Sequence, residues 1–207
     1  KVSVVGTRDG VLIISSITTG VTIRMINLES EQPYKVLITP SWGLILVCTQ
    51  LFQKGKQKWC IRVYTINGDF VRSSVIGNQV CSWCSFQSNS CFDYVMFADI
   101  TYKVYMAEAF YLDFGQPIHR DNSPIINVRW LKDLEVGTSV TKDGSISFFS
   151  IRVEWIPKLV TSFIQKLSVE RADDAGFVKR IWFVGECLLV LRSNRSVPPV
   201  LLIAGVI

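Results

Sequence analysis

Apolar residues along this chain fall in runs of four to eight, rich in Val, Ile, Phe, Tyr and Thr and broken by Gly, Asp, Asn and Pro. Helical periodicity is nearly absent. The pattern predicts strands over 2–6, 11–16, 20–26, 34–39, 43–52, 58–66, 69–76, 79–86, 92–98, 103–111, 125–131, 135–141 and 145–153. So many short strands imply an all-β fold. Two runs, Leu44 to Cys48 and Tyr94 to Ala98, are apolar at every position instead of alternating. Successive side chains of a strand point to opposite faces, so both faces of these strands are expected to be buried.

Strand-turn-strand units with an acidic residue at the turn recur. Thr7-Arg8-Asp9-Gly10 precedes Val11 to Ile14, Ala98-Asp99 precedes Lys103 to Tyr105, and Thr141-Lys142-Asp143-Gly144 precedes Ser145 to Phe148. Asp143 lies 44 residues after Asp99, and Asp99 lies 90 residues, twice 45, after Asp9, with a hairpin over 53–58 near the midpoint. Trp42, Trp83 and Trp130 keep a similar beat, 41 and 47 residues apart, just ahead of the second strand of each unit. A repeat of about 40–45 residues with four short strands is the spacing of a WD40-like β-propeller blade. The expected architecture is therefore a partial propeller of about four to five four-stranded blades. Residues 1–153 form the blades, and 154–207 a further incomplete blade or a divergent tail. Asp9, Gly10, Asn67, Gly68, Asp99, Asp143 and Gly144 are expected to be structural turn residues. Gly supplies the positive φ of a tight hairpin, and Asp or Asn can bond back to nearby backbone N–H groups.

Three stretches carry a family resemblance: Ile38-Thr39-Pro40-Ser41-Trp42-Gly43, the run from Val63 through Ile66-Asn67-Gly68-Asp69 to Arg72, and Phe92 to Asp99. With Tyr105 to Leu112 and Ser139 to Gly144, they resemble the C-terminal WD40 repeat region of divergent, protist-type BEACH-domain proteins, over about residues 1–153. The resemblance implies a large scaffold in which PH-like and BEACH domains precede the propeller, acting in vesicle and membrane trafficking. Its implied partners are proteins held on blade loops and edges, together with the rest of the scaffold. Membrane association would be indirect, and the location cytoplasmic and peripheral to vesicle membranes.

Composition narrows the function classes. With 49% hydrophobic and 19% charged residues, the 207-residue chain has material for a packed core and too little charge for intrinsic disorder. Its longest apolar stretch, Val197 to Ile207, is about half of the roughly 20 residues a transmembrane helix needs. The chain opens on Lys1 and reads as a fragment, which alone is expected to aggregate. Six cysteines, at 48, 60, 81, 84, 91 and 187, are too sparse for a disulfide scaffold and suit a reducing compartment. A net charge of +5 is mild and scattered, so nucleic acid is not an expected partner.

Candidate chemistry is thin. The single histidine, His119, lacks any recognisable nucleophile elbow, and no dinucleotide or Walker loop is present. Neither catalytic residues nor a cofactor are expected, although a propeller enzyme would gather Asp99, Glu108, His119 or Asp143 around a central channel. Cys81 and Cys84 with Cys91 resemble a zinc set, but an odd separation on one strand turns the first two to opposite faces, and the nearest candidates for a fourth ligand are Cys60 and Cys48 in the preceding unit. Lys54, Lys56 and Lys58 could form a basic finger for lipid or RNA, but they also suit a solvated hairpin tip. Trp42, Trp59, Trp83, Trp130, Trp155 and Trp182 are expected in the core between blades, not as stacking platforms.

Overall fold

The computed structural model describes residues 1–29, 31–53, 55–87, 92–132, 135–153, 159–168, 177–184, 187–194 and 197–205, with side chains through Ser150 except those of Gln53 and Lys56. The described residues contain no helix. The strands are β1 (Val2–Gly6), β2 (Val11–Ser16), β3 (Thr22–Asn27), β4 (Gln32–Ile38), β5 (Ile45–Gln53), β6 (Lys56–Tyr64), β7 (Phe70–Ile76), β8 (Val80–Gln87) and β9 (Asp93–Asp99). They continue as β10 (Lys103–Glu108), β11 (His119–Arg120), β12 (Ile125–Leu131), β13 (Val136–Thr141), β14 (Ser145–Val153), β15 (Leu159–Ser168), β16 (Phe177–Val184), β17 (Cys187–Asn194) and β18 (Val197–Gly205).

Among the described residues each strand pairs antiparallel with one or both of its neighbours in sequence, giving five open sheets: β1-β2-β3, β4-β5-β6-β7, β8-β9-β10-β11, β12-β13-β14-β15 and β16-β17-β18. Three of the sheets have four strands and two have three. β15 runs along β14 from Val153 opposite Leu159 to Ser145 opposite Ser168, so the division expected after residue 153 falls inside the fourth sheet.

Side-chain alternation explains how the first four sheets are ordered. On β5, Ile45 and Val47 face the first sheet, packing with Leu12, Ile14 and Leu28. The intervening Leu46 and Cys48, with Leu44 just ahead of β5, face the third sheet and meet Val95 and Phe97 of β9. On β9 the alternate residues Tyr94, Met96 and Ala98 turn to the fourth sheet and its Ile125, Val128 and Phe149. The continuously apolar runs are therefore strands buried on both faces, as the absence of alternation implies.

The first strands of successive sheets are neighbours: β4 packs on β1 and β2, β8 on β4, and β12 on β8 and β9. Polar links tie them, with Lys35 Nζ donating to the Cys81 carbonyl at 2.8 Å, Ser85 Oγ to the Ile38 carbonyl at 3.2 Å, and Val128 N to Ser82 Oγ at 3.1 Å.

Trp59 is buried in the core between the second and third sheets, Trp83 packs against the same core, and Trp130 packs against the core between the third and fourth. Trp42 departs from expectation: it lies in the β4–β5 turn and is 48% exposed. The cause is local. Asp93 accepts the backbone N–H of Ser41 and of Trp42, the latter at 2.7 Å, and Gly43 turns the chain at φ 65°, so the indole projects from the sheet end. Trp155 lies outside the described residues, as does the side chain of Trp182.

Candidate functional site

A four-stranded meander has two chemically distinct ends. The second-to-third-strand turn and the connection to the next sheet leave from one, here the connection end, and the other two turns from the opposite end. Asp9-Gly10, Asp99 and Asp143-Gly144 all lie in turns at the connection end. Each turn closes with the fourth residue's N–H donating to the first residue's carbonyl: Gly10 to Thr7 at 3.2 Å, Tyr102 to Asp99 at 3.1 Å, and Gly144 to Thr141 at 3.0 Å. The closing residues have φ of 80°, 65° and 93°.

Asp99 therefore occupies the seat of Thr7 and Thr141, not that of Asp9 and Asp143, and Thr101 takes the acidic position. The hydroxyl and carboxylate have exchanged places. Thr141 Oγ1 bonds Asp143, whose Oδ1 also accepts Ser145 N at 3.0 Å, whereas Asp99 accepts Thr101 N at 2.8 Å, Lys103 N at 3.1 Å and Asn78 Nδ2 at 2.9 Å. Asn67 and Gly68 form the third-to-fourth-strand turn of the second sheet, at the opposite end. There Gly68 has φ 86° and donates to the Thr65 carbonyl at 2.9 Å.

Two further carboxylates at the connection end escape sequence reasoning. Glu31, ahead of β4, accepts Thr49 Oγ1 at 2.6 Å and Arg62 Nε at 2.7 Å, with a second bond from Arg62 Nη2. Asp121, ahead of β12, accepts Ser139 Oγ at 2.7 Å and Ser147 Oγ at 3.1 Å, and pairs with His119 Nε2 at 3.2 Å. In both, the acid precedes the second-strand hydroxyl by 18 residues. The acids themselves are 90 residues apart, two periods of the repeat. That double spacing was the available signal, hidden behind the more visible Asp-Gly turns. Burial pushes both acids up in pKa, but the hydrogen bonds and charge of Arg62 with Thr49, and of His119 with Ser139 and Ser147, outweigh it and leave both below their ordinary values.

The grouping of His119, Asp121, Ser139 and Ser147 contains the residue types of a hydrolase triad in a different wiring. A triad needs the serine hydroxyl on the imidazole and the imidazole on the acid. Here both hydroxyls donate directly to the carboxylate, both serines are buried, and the imidazole stacks on Phe149 at 5.6 Å. This geometry clamps a connection to the two middle strands of the sheet it enters.

Among the described residues Cys81 and Cys84 do not converge. Cys84 packs toward the fourth sheet, where burial pushes its thiol up to about 12, whereas Cys81 sits at a register shift of β8 beside Lys35. Cys91 and Lys54 lie outside the described residues, as do the side chains of Lys56 and Cys187, and Lys58 is an exposed position of β6. Glu108 ends β10 on the opposite end, with Oε1 buried and no hydrogen-bond partner among the described residues. Burial pushes its pKa up.

A groove of about 420 Å³ opens between β8 and β12 at the opposite end. Cys84, Ser85, Phe86 and Gln87 of β8 form one wall, Arg129 and Trp130 of β12 with Lys132 the other, and Pro40 closes it from the β4–β5 turn. Its apolar surface is the stacked pair Phe86 and Trp130, 4.3 Å apart at 14°, and Phe86 in turn stacks on buried Tyr94 at 5.6 Å and 22°. Beside it, exposed Trp42 meets Phe92 at 5.9 Å and Phe110 at 6.1 Å, and Arg72 lies over Phe110 and Tyr111. A smaller cavity of about 100 Å³ adjoins Asp99, Tyr105 and Phe114.

Among the described residues no helix is long and apolar enough to cross a membrane. No protein-family model matches the chain, and no curated protein matches it. Solved structures do. The chain is similar to the crystal structure of the computationally designed Ika4 protein, with a TM-score of 0.52 and 15% identity over 71% of this chain and 83% of that one. It is also similar to the computationally designed Ika8 protein, with a TM-score of 0.62 and 13% identity over 92% of this chain and 52% of that one. The chain thus spans about half the length of the Ika8 chain it matches. At such identities the likeness is one of all-β fold alone.

Proposed function

We propose that the sheets are blades of a WD40-like propeller and that the chain serves as a non-catalytic protein-interaction scaffold, part of a BEACH-type protein in vesicle and membrane trafficking. The observation that carries this reading is the recurrent clamp, in which Glu31 and Asp121 each fasten an inter-sheet connection to hydroxyls 18 residues later. A clamp repeated at two periods gives rigid, stacked sheets that present variable loops, the arrangement by which repeat scaffolds bind partners. The consecutive packing of β4, β8 and β12 supports the same reading. Crosslinking mass spectrometry on the full chain in extract from its source cells tests it. Crosslinks to a small recurring set of vesicle-associated proteins, concentrated on loops, are expected. Crosslinks spread evenly over the surface overturn it, as does a turnover activity that His119→Ala abolishes while the fold persists.

A further inference from the structure

We infer that the groove between β8 and β12 binds an extended segment of a partner protein in which carboxylate side chains alternate with large apolar ones. This rests on the scaffold reading and names the chemistry of one partner.

Size, floor and charge all point to that occupant. About 420 Å³ is within the range of sites that enclose a few side chains. The stacked Phe86 and Trp130 offer an apolar floor, and such aromatic anchors dominate interface energetics. Among the described residues, the only charged ones lining the groove are Arg129 and Lys132, both exposed, and neither makes an ion pair within that set. Gln87 adds an amide able to bond a peptide backbone. The closing turn is preorganised, because the N–H groups of Ser41 and Trp42, which follow Pro40, both donate to the buried Asp93 carboxylate. A rigid site loses less entropy on binding. A nucleic acid fits less well: polyanion affinity grows with each neutralised phosphate, the described lining has two cations, and one face of Trp130 is already covered by Phe86.

Fluorescence anisotropy with a labelled nonapeptide alternating Asp or Glu with Leu or Phe tests the inference on the full chain. Saturable binding is expected, weakening as salt rises. Arg129→Glu with Lys132→Glu should reduce affinity at least tenfold, with an unchanged melting temperature because both positions are exposed. Should that pair perturb the fold, Arg129→Gln and Lys132→Gln provide the milder test, with a several-fold loss expected. Peptides with Asn and Gln for the acids, or Ala for the apolar residues, should each bind at least tenfold more weakly. Equal binding of the neutral peptide, or no effect of charge reversal, overturns the inference. So does a single-stranded RNA of equal charge that outcompetes the peptide. Crosslinks to partner proteins that persist in the Arg129→Glu, Lys132→Glu variant would sink the groove assignment and leave the scaffold reading standing.

Discussion

Burial alone would raise the pKa of Glu31 and Asp121, yet their hydrogen bonds and charged neighbours hold both below their ordinary values. A carboxylate whose folded-state pKa is depressed contributes its stability in full above the unfolded-state value, about pH 4, and loses it as pH falls through the lower folded-state value. Acid should therefore unlock the connections. Asp121→Ala leaves two buried hydroxyls and His119 without their shared acceptor and should cost about 3 kcal/mol by urea unfolding at pH 7. The variant's stability should also fall less steeply below pH 4 than that of the parent chain, and parallel acid limbs would refute the clamp. Glu108 carries the opposite sign. Burial raises its folded-state pKa, so the contribution present below the unfolded-state value is lost as pH rises through the folded-state one. Glu108→Gln removes a charge from a site where Oε1 has no partner among the described residues, and should raise the urea midpoint at pH 7 with little change at pH 3. An unchanged or lower midpoint at pH 7 would show that the charge is not penalised there.

Among the elements, hairpins whose closing residue requires positive φ are the most exposed to substitution. Gly144→Val forces a β-branched residue to φ 93°, a conformation costing L-residues about 1–2 kcal/mol, and should lower stability by that amount. Gly10→Val should cost more, because a Cβ at Gly10 would also sit 2.8 Å from the Glu31 carbonyl oxygen, pressing on the segment that carries the first clamp. Equal effects in thermal melts would separate the turn from the clamp. These hairpins were readable because Gly and Asp punctuate the apolar runs on both sides. The strands from β1 to β10 and β12 to β14 were legible for the same reason, whereas β11 is too short to show any periodicity. Beyond Val153 the sequence has no Asp-Gly pair to mark a turn, so a further incomplete blade was expected there without the individual strands β15 to β18. The clamps were illegible for another reason: Glu31 and Asp121 acquire meaning only through Thr49 and Ser139, 18 residues on, once two strands and a connection have folded together. The groove was hidden similarly, since Phe86 and Trp130 are 44 residues apart and meet only when β8 packs on β12.

At the scale of the whole molecule, the second and third sheets each bury one face against the sheet before and the other against the sheet after, linking the first four sheets in sequence, so stability should behave as a chain of nearest-neighbour interfaces. Adjacent residues of one strand can test this, because they serve different interfaces. Ile45 and Leu46 are both fully buried on β5, yet Ile45 packs against the first sheet and Leu46 against the third. Truncating either to Ala removes similar apolar volume and should cost about 2–5 kcal/mol. The global loss is thus expected to be alike, and the difference should lie in where protection is lost. In native-state hydrogen exchange, Ile45→Ala should release amides of β2 while leaving β9 slow. Leu46→Ala should release β9 and β10 while sparing β2, because local opening follows the weakened contacts. If instead both variants loosened all four sheets to the same degree, the sheets would form one cooperative core, as in a two-layer sandwich, and the stacked arrangement behind the scaffold reading would fail.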